Sequence, residues 1–329
     1  MSSKPRKLSF SLAINEALHQ SMAADGSVFL LGQGVKSPWY VGNTCQNLLE
    51  RFGPARIIDT PVSENAVTGS AVGAALAGMR PIVVHPRVDF LVYALDPIIN
   101  EAANWHYMCG GTASVPVVIW TVVNRGGEQG AQHSQSLHAL FAHIPGLKVV
   151  MPATPYDAKG LLVASIRDEN PVIFMDDRWL YRLEDDVPEE IYEVPIGRGA
   201  IRRQGKDLTI AAVSYMAHEA AQAAEALAGE GIEAELIDVR TIKPLDQQLL
   251  LNSVRKTGRL VVADGGWRTG GFAAEVLALA VEHCHLDLKA APVRVTLPDV
   301  PAPASSSLEK AYYPAAADIF RAAKAMIQS

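Results

Sequence analysis

The stretch IIDTPVSENAVTGSAVGAALAGMRPIVV, residues 57–84, decides the fold of this chain. Two short runs rich in β-branched residues, 57–59 and 81–84, predict strands, and the Ala-rich segment 66–77 between them predicts a helix. A strand, a helix and a strand in this order are typical of a parallel sheet, because parallel neighbours need a long crossover connection. The stretch therefore predicts an α/β fold.

The same alternation continues on both sides of this unit. Runs of β-branched residues predict further strands at 28–31, 117–122, 148–151, 171–175, 208–213, 235–239, 260–263 and 293–296. Amphipathic segments predict further helices at 93–103, 157–167, 218–228, 272–282 and 316–327. An acidic, proline-containing stretch at 183–190 interrupts the pattern. We therefore expect two doubly wound domains, residues 1–183 and 199–329, joined by a linker at 184–198.

Composition narrows the class of protein. Hydrophobic residues make up 49% of the chain and charged residues 19%, which is enough apolar material for packed cores. The net charge of −6 disfavours a nucleic-acid partner, and no apolar run reaches the ~20 residues that a membrane helix needs. Three widely spaced cysteines are typical of free thiols in a reducing compartment. We expect a soluble cytoplasmic protein.

Glu64 is the first candidate functional residue. It follows the strand predicted at 57–59 and falls in the first turn of the next helix. Ligands of α/β proteins bind beyond the carboxyl ends of the strands, so this position suits a catalytic carboxylate. An acid here also complements the helix dipole, an effect of ~0.3–1 kcal/mol. On these residues alone the dipole is the preferred interpretation.

A second candidate is the loop RGGEQGAQHSQ, residues 125–135. It is rich in glycine and polar side chains and follows the apolar strand predicted at 117–122. Loops that follow rigid strands commonly carry catalytic groups. The loop makes His133 a candidate catalytic residue, and a structural role for this histidine stays open.

Five segments of the chain are similar to the β subunits of 2-oxo acid dehydrogenases of the pyruvate and branched-chain type. They are residues 59–78, 130–135, 145–150, 154–162 and 238–246. The similarity covers nearly the whole chain. It implies a pyrimidine-binding domain of the transketolase-like thiamine diphosphate superfamily, followed by a transketolase C-terminal-like domain.

The resemblance also implies roles for single residues. Glu64 would hydrogen-bond the aminopyrimidine ring of thiamine diphosphate and share a proton with it, and Phe90 would pack on that ring. His133 would protonate or orient intermediates derived from the substrate. Backbone carbonyls would bind a monovalent cation, K⁺, near Val117, Ser165, Asp168 and Asn170.

A motif that binds the charged end of this cofactor does not occur in the chain. Enzymes of the superfamily that hold the whole cofactor carry Gly-Asp-Gly, followed further on by Asn, and these residues bind Mg²⁺ and the diphosphate. Here Ala24-Asp25-Gly26 and Ala263-Asp264-Gly265 do not match it. The resemblance therefore implies that an α partner holds Mg²⁺ and the diphosphate. We expect two α and two β chains, so that a second β chain is also a partner.

One segment departs from the family pattern. Pyruvate and branched-chain β subunits usually carry apolar residues where this chain has His85-Pro86-Arg87-Val88-Asp89-Phe90. His85 and Arg87 would add cationic donors near the pyrimidine pocket, and an arginine suits a substrate carboxylate or phosphate. Pairing of Arg87 with Asp89 or another acid is an equally good interpretation.

Three functions remain open from the sequence. In the first, the complex decarboxylates a 2-oxo acid and passes the acyl group to a lipoyl-bearing acyltransferase. In the second, the chain is the β half of a split transketolase that moves a two-carbon unit between sugar phosphates. In the third, it is a degenerate regulatory subunit, which the presence of Glu64, Phe90 and His133 together disfavours.

Overall fold

A computed structural model of the chain describes residues 6–37 and 40–328. The chain divides into two compact units. The first contains Met1–Asn124 and Leu140–Ile196, and the second contains Arg125–Ala139 and Gly197–Ser329. Each unit is built from a mostly parallel sheet and helices, so the predicted α/β class is confirmed. The domain bounds at 183 and 199 stay a prediction.

The first part of the chain alternates strands with helices. Its strands are β1 Lys7–Ser9, β2 Val28–Gly32, β3 Ile57–Asp59, β4 Arg80–His85, β5 Val118–Val123, β6 Lys148–Val150, β7 Val172–Asp177 and β8 Glu184–Asp186. Its α-helices are α1 Phe10–Ala24, α2 Leu48–Phe52, α3 Glu64–Leu76, α4 Val88–Leu91, α5 Ala103–Met108, α6 His138–His143 and α7 Pro155–Arg167. Short 3₁₀ turns lie at Tyr40–Asn43, Val92–Ala94, Ala131–His133 and Arg178–Leu180, and a π-helical segment at Pro97–Ala102.

The central strands of the first unit pair in parallel in the order β6-β7-β5-β4-β2-β3. Gly32, the last residue of β2, lies beside Asp59 at the end of β3 and beside Val84 near the end of β4. The carboxyl ends of these three strands therefore form one edge. Trp120 and Phe174 on the middle strands are fully buried and belong to the core of this unit.

Two segments differ from the sequence-based expectation. Part of the predicted linker is the strand β8, which pairs antiparallel with β1 and places Lys7 opposite Asp186. Opposite charges across two strands favour such pairing, so acidic composition here does not mean irregular structure. The helix expected at 93–103 is a succession of 3₁₀, π and α turns. Pro97 lies inside it, and a proline cannot donate the backbone hydrogen bond that a continuous helix needs.

The second unit has its own sheet. The five strands of this sheet are β9 Ala200–Arg203, β10 Leu208–Ala212, β11 Ala234–Asp238, β13 Leu260–Trp267 and β14 Val293–Leu297, and the short strand β12 Thr241–Lys243 is not part of it. Its helices are α8 Tyr215–Gly229, α9 Gln247–Thr257, α10 Phe272–Cys284, α11 Ser306–Tyr312 and α12 Ala316–Gln328. The sheet order is β14-β13-β10-β11-β9, with only β9 antiparallel to its neighbour. Within the described residues, no helix has the length and apolar character needed to cross a membrane.

Candidate functional site

Glu64 is the first residue of α3 and lies at the edge formed by the carboxyl ends of β2, β3 and β4. Its carboxylate is buried although it begins a helix. Gln33, in the turn after β2, donates from Nε2 to Glu64 Oε1 at 3.0 Å. A buried carboxylate needs hydrogen-bonding partners, and a neutral amide satisfies one oxygen without removing the negative charge. The helix-dipole interpretation alone does not account for this burial.

The turn that carries Gln33 depends on close backbone contact. A Cβ atom on Gly32 would lie 2.4 Å from the carbonyl oxygen of Val84, so this position excludes any side chain. The amide of Gly34 donates to Asp59 Oδ1 at 2.6 Å, and the amide of Thr60 donates to the Gly32 carbonyl at 3.0 Å. Gln33 is a site residue that no motif in the sequence predicts. A polar residue between two glycines, directly after a buried strand, is the signal that could have found it.

His85 ends β4 and is 2% exposed. Its Nε2 lies 2.9 Å from the hydroxyl of Thr68, a fully buried residue of α3. Burial lowers the pKa of His85 to about 4, against the opposing effect of the nearby Glu64 charge. We expected a cationic donor here, and that expectation is wrong because an imidazole in this environment is neutral at pH 7. Its Nδ1 is buried and has no hydrogen-bond partner among the described residues.

Arg87 and Phe90 lie within one turn of the chain at the start of α4. Arg87 immediately precedes the helix and Phe90 is in it, and both are partly buried. The Phe90 amide donates to the Arg87 carbonyl at 3.2 Å, which fixes their spacing. Asp89, between them, is buried. These residues follow directly on His85, so one short segment presents three of the predicted site residues.

The four residues expected near a monovalent cation lie where β5 begins and α7 ends. Several of their carbonyls already accept hydrogen bonds within the first unit. The Val117 carbonyl accepts from the Val172 amide at 3.0 Å, and the Ser165 carbonyl from the Asp168 amide at 3.4 Å. The Asp168 carbonyl accepts from Arg80 Nη1 at 3.1 Å. The Asn170 amide donates to Asp168 Oδ1 at 2.9 Å.

His133 belongs to the second unit, in the segment Arg125–Ala139. It ends the 3₁₀ turn Ala131–His133, and its amide donates to the Gly130 carbonyl at 3.3 Å. Its side chain is partly exposed. The predicted catalytic residues therefore come from both units, Glu64 from the first and His133 from the second.

The groups around Glu64 fit the polar edge of an aminopyrimidine. Glu64 supplies a buried carboxylate that can share a proton with a ring nitrogen, and His85 supplies a neutral ring with an unpartnered nitrogen. The amide of Gln33 holds the carboxylate in place. Across residues 6–37 and 40–328, no group of three or more His, Cys, Asp or Glu side chains is arranged to bind a metal ion.

Comparison with known proteins gives matches over nearly the whole chain. The sequence profile of the transketolase pyrimidine-binding domain matches residues 6–184, and that of the transketolase C-terminal domain matches residues 197–319. The β subunit of acetoin:2,6-dichlorophenolindophenol oxidoreductase from Cupriavidus necator is 47% identical, with 97% of each chain covered. The pyruvate dehydrogenase E1 component β subunit of Rickettsia felis is 41% identical, with 95% of this chain and 96% of that protein covered.

Two further comparisons extend this result. The 2-oxoisovalerate dehydrogenase β subunit of Bacillus subtilis is 41% identical over 92% of this chain and 93% of its own length. A solved structure described as a split gene transketolase, inactive β4 tetramer, superimposes with a TM-score of 0.80 at 24% identity. It covers 98% of this chain and 99% of its own, and shows that the fold is shared.

The predicted family is thus confirmed by sequence, and the predicted pair of α/β domains by both sequence and structure. The chain belongs to the family of thiamine-diphosphate-dependent 2-oxo acid and acetoin dehydrogenase β subunits, which are built on transketolase-type domains and work with an α subunit.

Proposed function

We propose that this chain and an α subunit form a component that cleaves a carbon–carbon bond next to a carbonyl group and passes the acyl group to a lipoyl-bearing acyltransferase. The observation that carries the proposal is the buried Glu64 carboxylate at the carboxyl edge of the first sheet. Its position, its Gln33 partner and the neutral His85 beside it match the proton placement that an aminopyrimidine cofactor requires.

Thiamine diphosphate supplies the electron sink for this chemistry when it is bound. The chain's own residues bind and orient its pyrimidine end. Glu64 would hold a proton at the ring nitrogen, and Phe90 would pack on the ring. His133 protonates or orients substrate-derived groups. The α partner supplies the Mg²⁺ and diphosphate site, and a second β chain completes a symmetric assembly.

The neutral state of His85 favours a 2-hydroxyketone such as acetoin over a 2-oxo acid. When acetoin is cleaved, the bond between its carbonyl and carbinol carbons breaks, the carbinol oxygen loses its proton, and acetaldehyde leaves. A base must take that proton, whereas loss of CO₂ from a 2-oxo acid needs no such base. In the tautomer that carries its proton on Nε2 and donates it to Thr68, Nδ1 of His85 has a lone pair that can accept from a hydroxyl group.

A monovalent cation is the remaining part of the proposal. Each carbonyl oxygen has two lone pairs, so Val117, Ser165 and Asp168 can accept a hydrogen bond and still bind K⁺. The positive charge of Arg80 on the Asp168 carbonyl opposes a cation there. Comparing turnover in K⁺ and in tetramethylammonium buffers decides the point, because dependence on K⁺ supports the site and equal rates contradict it.

We also place the protein in the cytoplasm, on the basis of its thiols. Cys45, Cys109 and Cys284 are all free, and two of them are buried. Free, sparse cysteines are typical of reducing compartments. Fractionation of the native host tests this assignment.

The function is tested by turnover of the complex assembled with its α subunit. The substrates are acetoin, pyruvate, 2-oxoisovalerate and a ketose phosphate, with a dye as electron acceptor and, separately, a lipoyl domain. We expect acetoin to give the highest kcat/KM, and His85→Phe to lower the acetoin-to-pyruvate ratio at least about tenfold. Turnover of the ketose phosphate alone would identify a split transketolase. Binding of α without turnover of any substrate would identify a regulatory subunit.

A further inference from the structure

His138 and Asp264 form a buried pair in the second unit. Nε2 of His138 lies 3.0 Å from Oδ1 of Asp264, and the two side chains are 1% and 0% exposed. The other ring nitrogen, Nδ1, lies 3.1 Å from the hydroxyl of Ser136. The rings of His138 and Phe272 also meet at a steep angle, with 6.4 Å between their centroids. The imidazole is therefore held on several sides at the start of α6.

Asp264 is itself fixed by the backbone around it. The amide of Gly266 donates to Oδ1 at 2.9 Å, and the amide of Ala273, in the first turn of α10, donates to Oδ2 at 3.3 Å. Burial alone raises the pKa of Asp264, but the nearby His138 ring and these amides hold it below its ordinary value. The carboxylate therefore stays ionised, because three groups stabilise the negative charge.

The two glycines after Asp264 make room for the segment Arg125–Ala139. A Cβ atom on Gly266 would lie 2.9 Å from Cε1 of His138, and a Cβ atom on Gly265 would lie 2.4 Å from Nη2 of Arg125. Two side chains of this segment thus lie against Asp264-Gly265-Gly266. This stretch does not match the metal-binding triplet. Its composition is explained by this close approach rather than by a phosphate or metal site.

The other end of this segment also bonds to the rest of the second unit. The Gly126 amide donates to the Tyr313 hydroxyl at 3.0 Å, and the Glu128 amide donates to Glu309 Oε1 at 2.9 Å. Oε1 of Glu128 accepts from the Ser306 amide at 3.1 Å. The loop that bears His133 is therefore held at both ends. Tyr313 and Glu309 hold the part before His133, and Asp264 holds the part after it through His138.

We infer that His138 and Asp264 are positioning residues for His133: the buried pair holds the end of the 125–139 loop and so fixes where the catalytic imidazole lies. The inference rests on the proposed function, because it assumes that His133 acts on the substrate. A catalytic group displaced by about 1 Å can lose on the order of 10²-fold in rate. Loss of either partner should thus lower kcat, without affecting the groups around Glu64.

The test uses the complex assembled with its α subunit and the variants His138→Ala and Asp264→Asn. We expect kcat to fall by about 10²-fold, while KM and the affinity for thiamine diphosphate stay near those of the wild type. His138→Gln, whose amide can still donate to Asp264, should recover part of kcat. Adding His133→Ala to His138→Ala should cause little further loss, since residues that act as a unit are not additive.

A matched control is Glu235→Gln, which removes the charge of another buried carboxylate of the same unit, one that pairs with the partly exposed Lys256. It should lower stability and leave kcat unchanged. A second variant, Gly266→Ala, places a methyl group against the His138 ring and should reproduce the loss of kcat. In the His138→Ala background the same change should have no further effect on kcat.

Hydrogen exchange of residues 126–137 separates this inference from the proposed function. Faster exchange in His138→Ala, with normal exchange in Glu235→Gln, supports the inference that His138 and Asp264 hold the loop. Unchanged exchange in His138→Ala, or kcat equal to the wild type, overturns it. If the wild-type complex turned over none of the substrates, the proposed function would fail, and the exchange result would still decide whether His138 holds the loop.

Discussion

The hydroxyl of Thr68 lies 2.9 Å from Nε2 of His85, and both side chains are buried. Burial lowers the pKa of His85 to about 4, below the ordinary value of 6.5. The unfolded chain therefore binds a proton between these two values that the folded chain does not bind. His85 makes the folded state lose stability as the pH falls from 6.5 to 4.

We expect His85→Gln to remove this pH dependence, because glutamine can bond to Thr68 and does not titrate. Between pH 7 and pH 4 the wild type should lose on the order of 3 kcal/mol more unfolding free energy than the variant does. Urea denaturation at both pH values measures the difference. The exposed His285→Gln is the control for loss of one histidine. Parallel curves for wild type and His85→Gln would show that the histidine titrates normally.

Asp176 has the opposite effect on stability. It is fully buried, and burial raises its pKa to about 7, although Trp120 and Tyr181 donate hydrogen bonds to it. Since the folded pKa exceeds the ordinary value of 3.8, the stabilising contribution is present below pH 3.8 and is lost as the pH rises through 7. The two residues oppose each other between pH 4 and 6.5, so only variants separate their effects.

Asp176→Asn should therefore become more stable, relative to the wild type, as the pH rises. The amide keeps the shape of the protonated carboxyl group and cannot ionise. The difference in unfolding free energy between variant and wild type should shift by up to about 4 kcal/mol between pH 4 and pH 8. Thermal or urea unfolding at the two pH values measures it. A difference that does not change with pH would contradict a raised pKa.

The fold was largely predictable because its strands are continuous apolar runs bounded by turn residues. The predicted strand at 57–59 is β3, and the run at 208–213 contains β10. Local pattern failed where a distant partner decides the structure. The three residues of β8 are a strand only because β1, near the start of the chain, pairs with them. Pro97 changed the type of helix, which periodicity alone does not show.

The candidate site was predictable only in part, and mainly through the family resemblance. Glu64 and His133 lie in long, specific motifs. Gln33 is 31 positions from Glu64, and nothing in the sequence around either residue indicates that the two side chains pair. The neutral state of His85 depends on burial behind Thr68, which is a property of packing. The roles of these residues stay predictions until variants are measured.

Glu64→Gln should lower turnover of the assembled complex by orders of magnitude without unfolding the chain. A neutral amide can still accept from Gln33, but it cannot exchange a proton with the pyrimidine. The stability change should stay within about 1 kcal/mol. Deuterium exchange at the thiazolium carbon measures the step directly, and a near-normal rate would show that Glu64 has another role. Glu275→Gln, in the first turn of α10, controls for loss of a helix-dipole contact.

The chain alone should bind thiamine diphosphate weakly or not at all. It can hold the pyrimidine end through Glu64 and Phe90, but the sequence lacks Gly-Asp-Gly for the charged end. Calorimetry with Mg²⁺ present should show heat only after the α subunit is added. The Glu64→Gln chain is a suitable comparison. If neither isolated chain binds the cofactor, the variant and the wild type should give the same heat. Micromolar, Mg²⁺-dependent binding to the isolated wild type would contradict this division between subunits.

The chain should also associate with itself when it is produced without α. Large apolar side chains are exposed in both units, including Tyr107 at 89%, Val62 at 76% and Leu286 at 89%. Large apolar side chains left in water favour association with a partner, and obligate interfaces usually bury well over ~2,000 Å². We propose that two β chains contact one another through the second unit's helix α10, whose end carries the exposed Val281.

Light scattering should find dimers or larger species of the isolated chain at micromolar concentration, and two α with two β chains after mixing. Val281→Glu should weaken contacts made through α10, because a charge buried without a partner is costly. Tyr107→Glu in the first unit is the matched variant, and it separates the two surfaces. If the two variants assemble alike, the α10 contact is misplaced. A stable monomer of the wild-type chain at micromolar concentration would contradict the proposed contact between β chains, and failure to form two α with two β chains after mixing would contradict the proposed assembly.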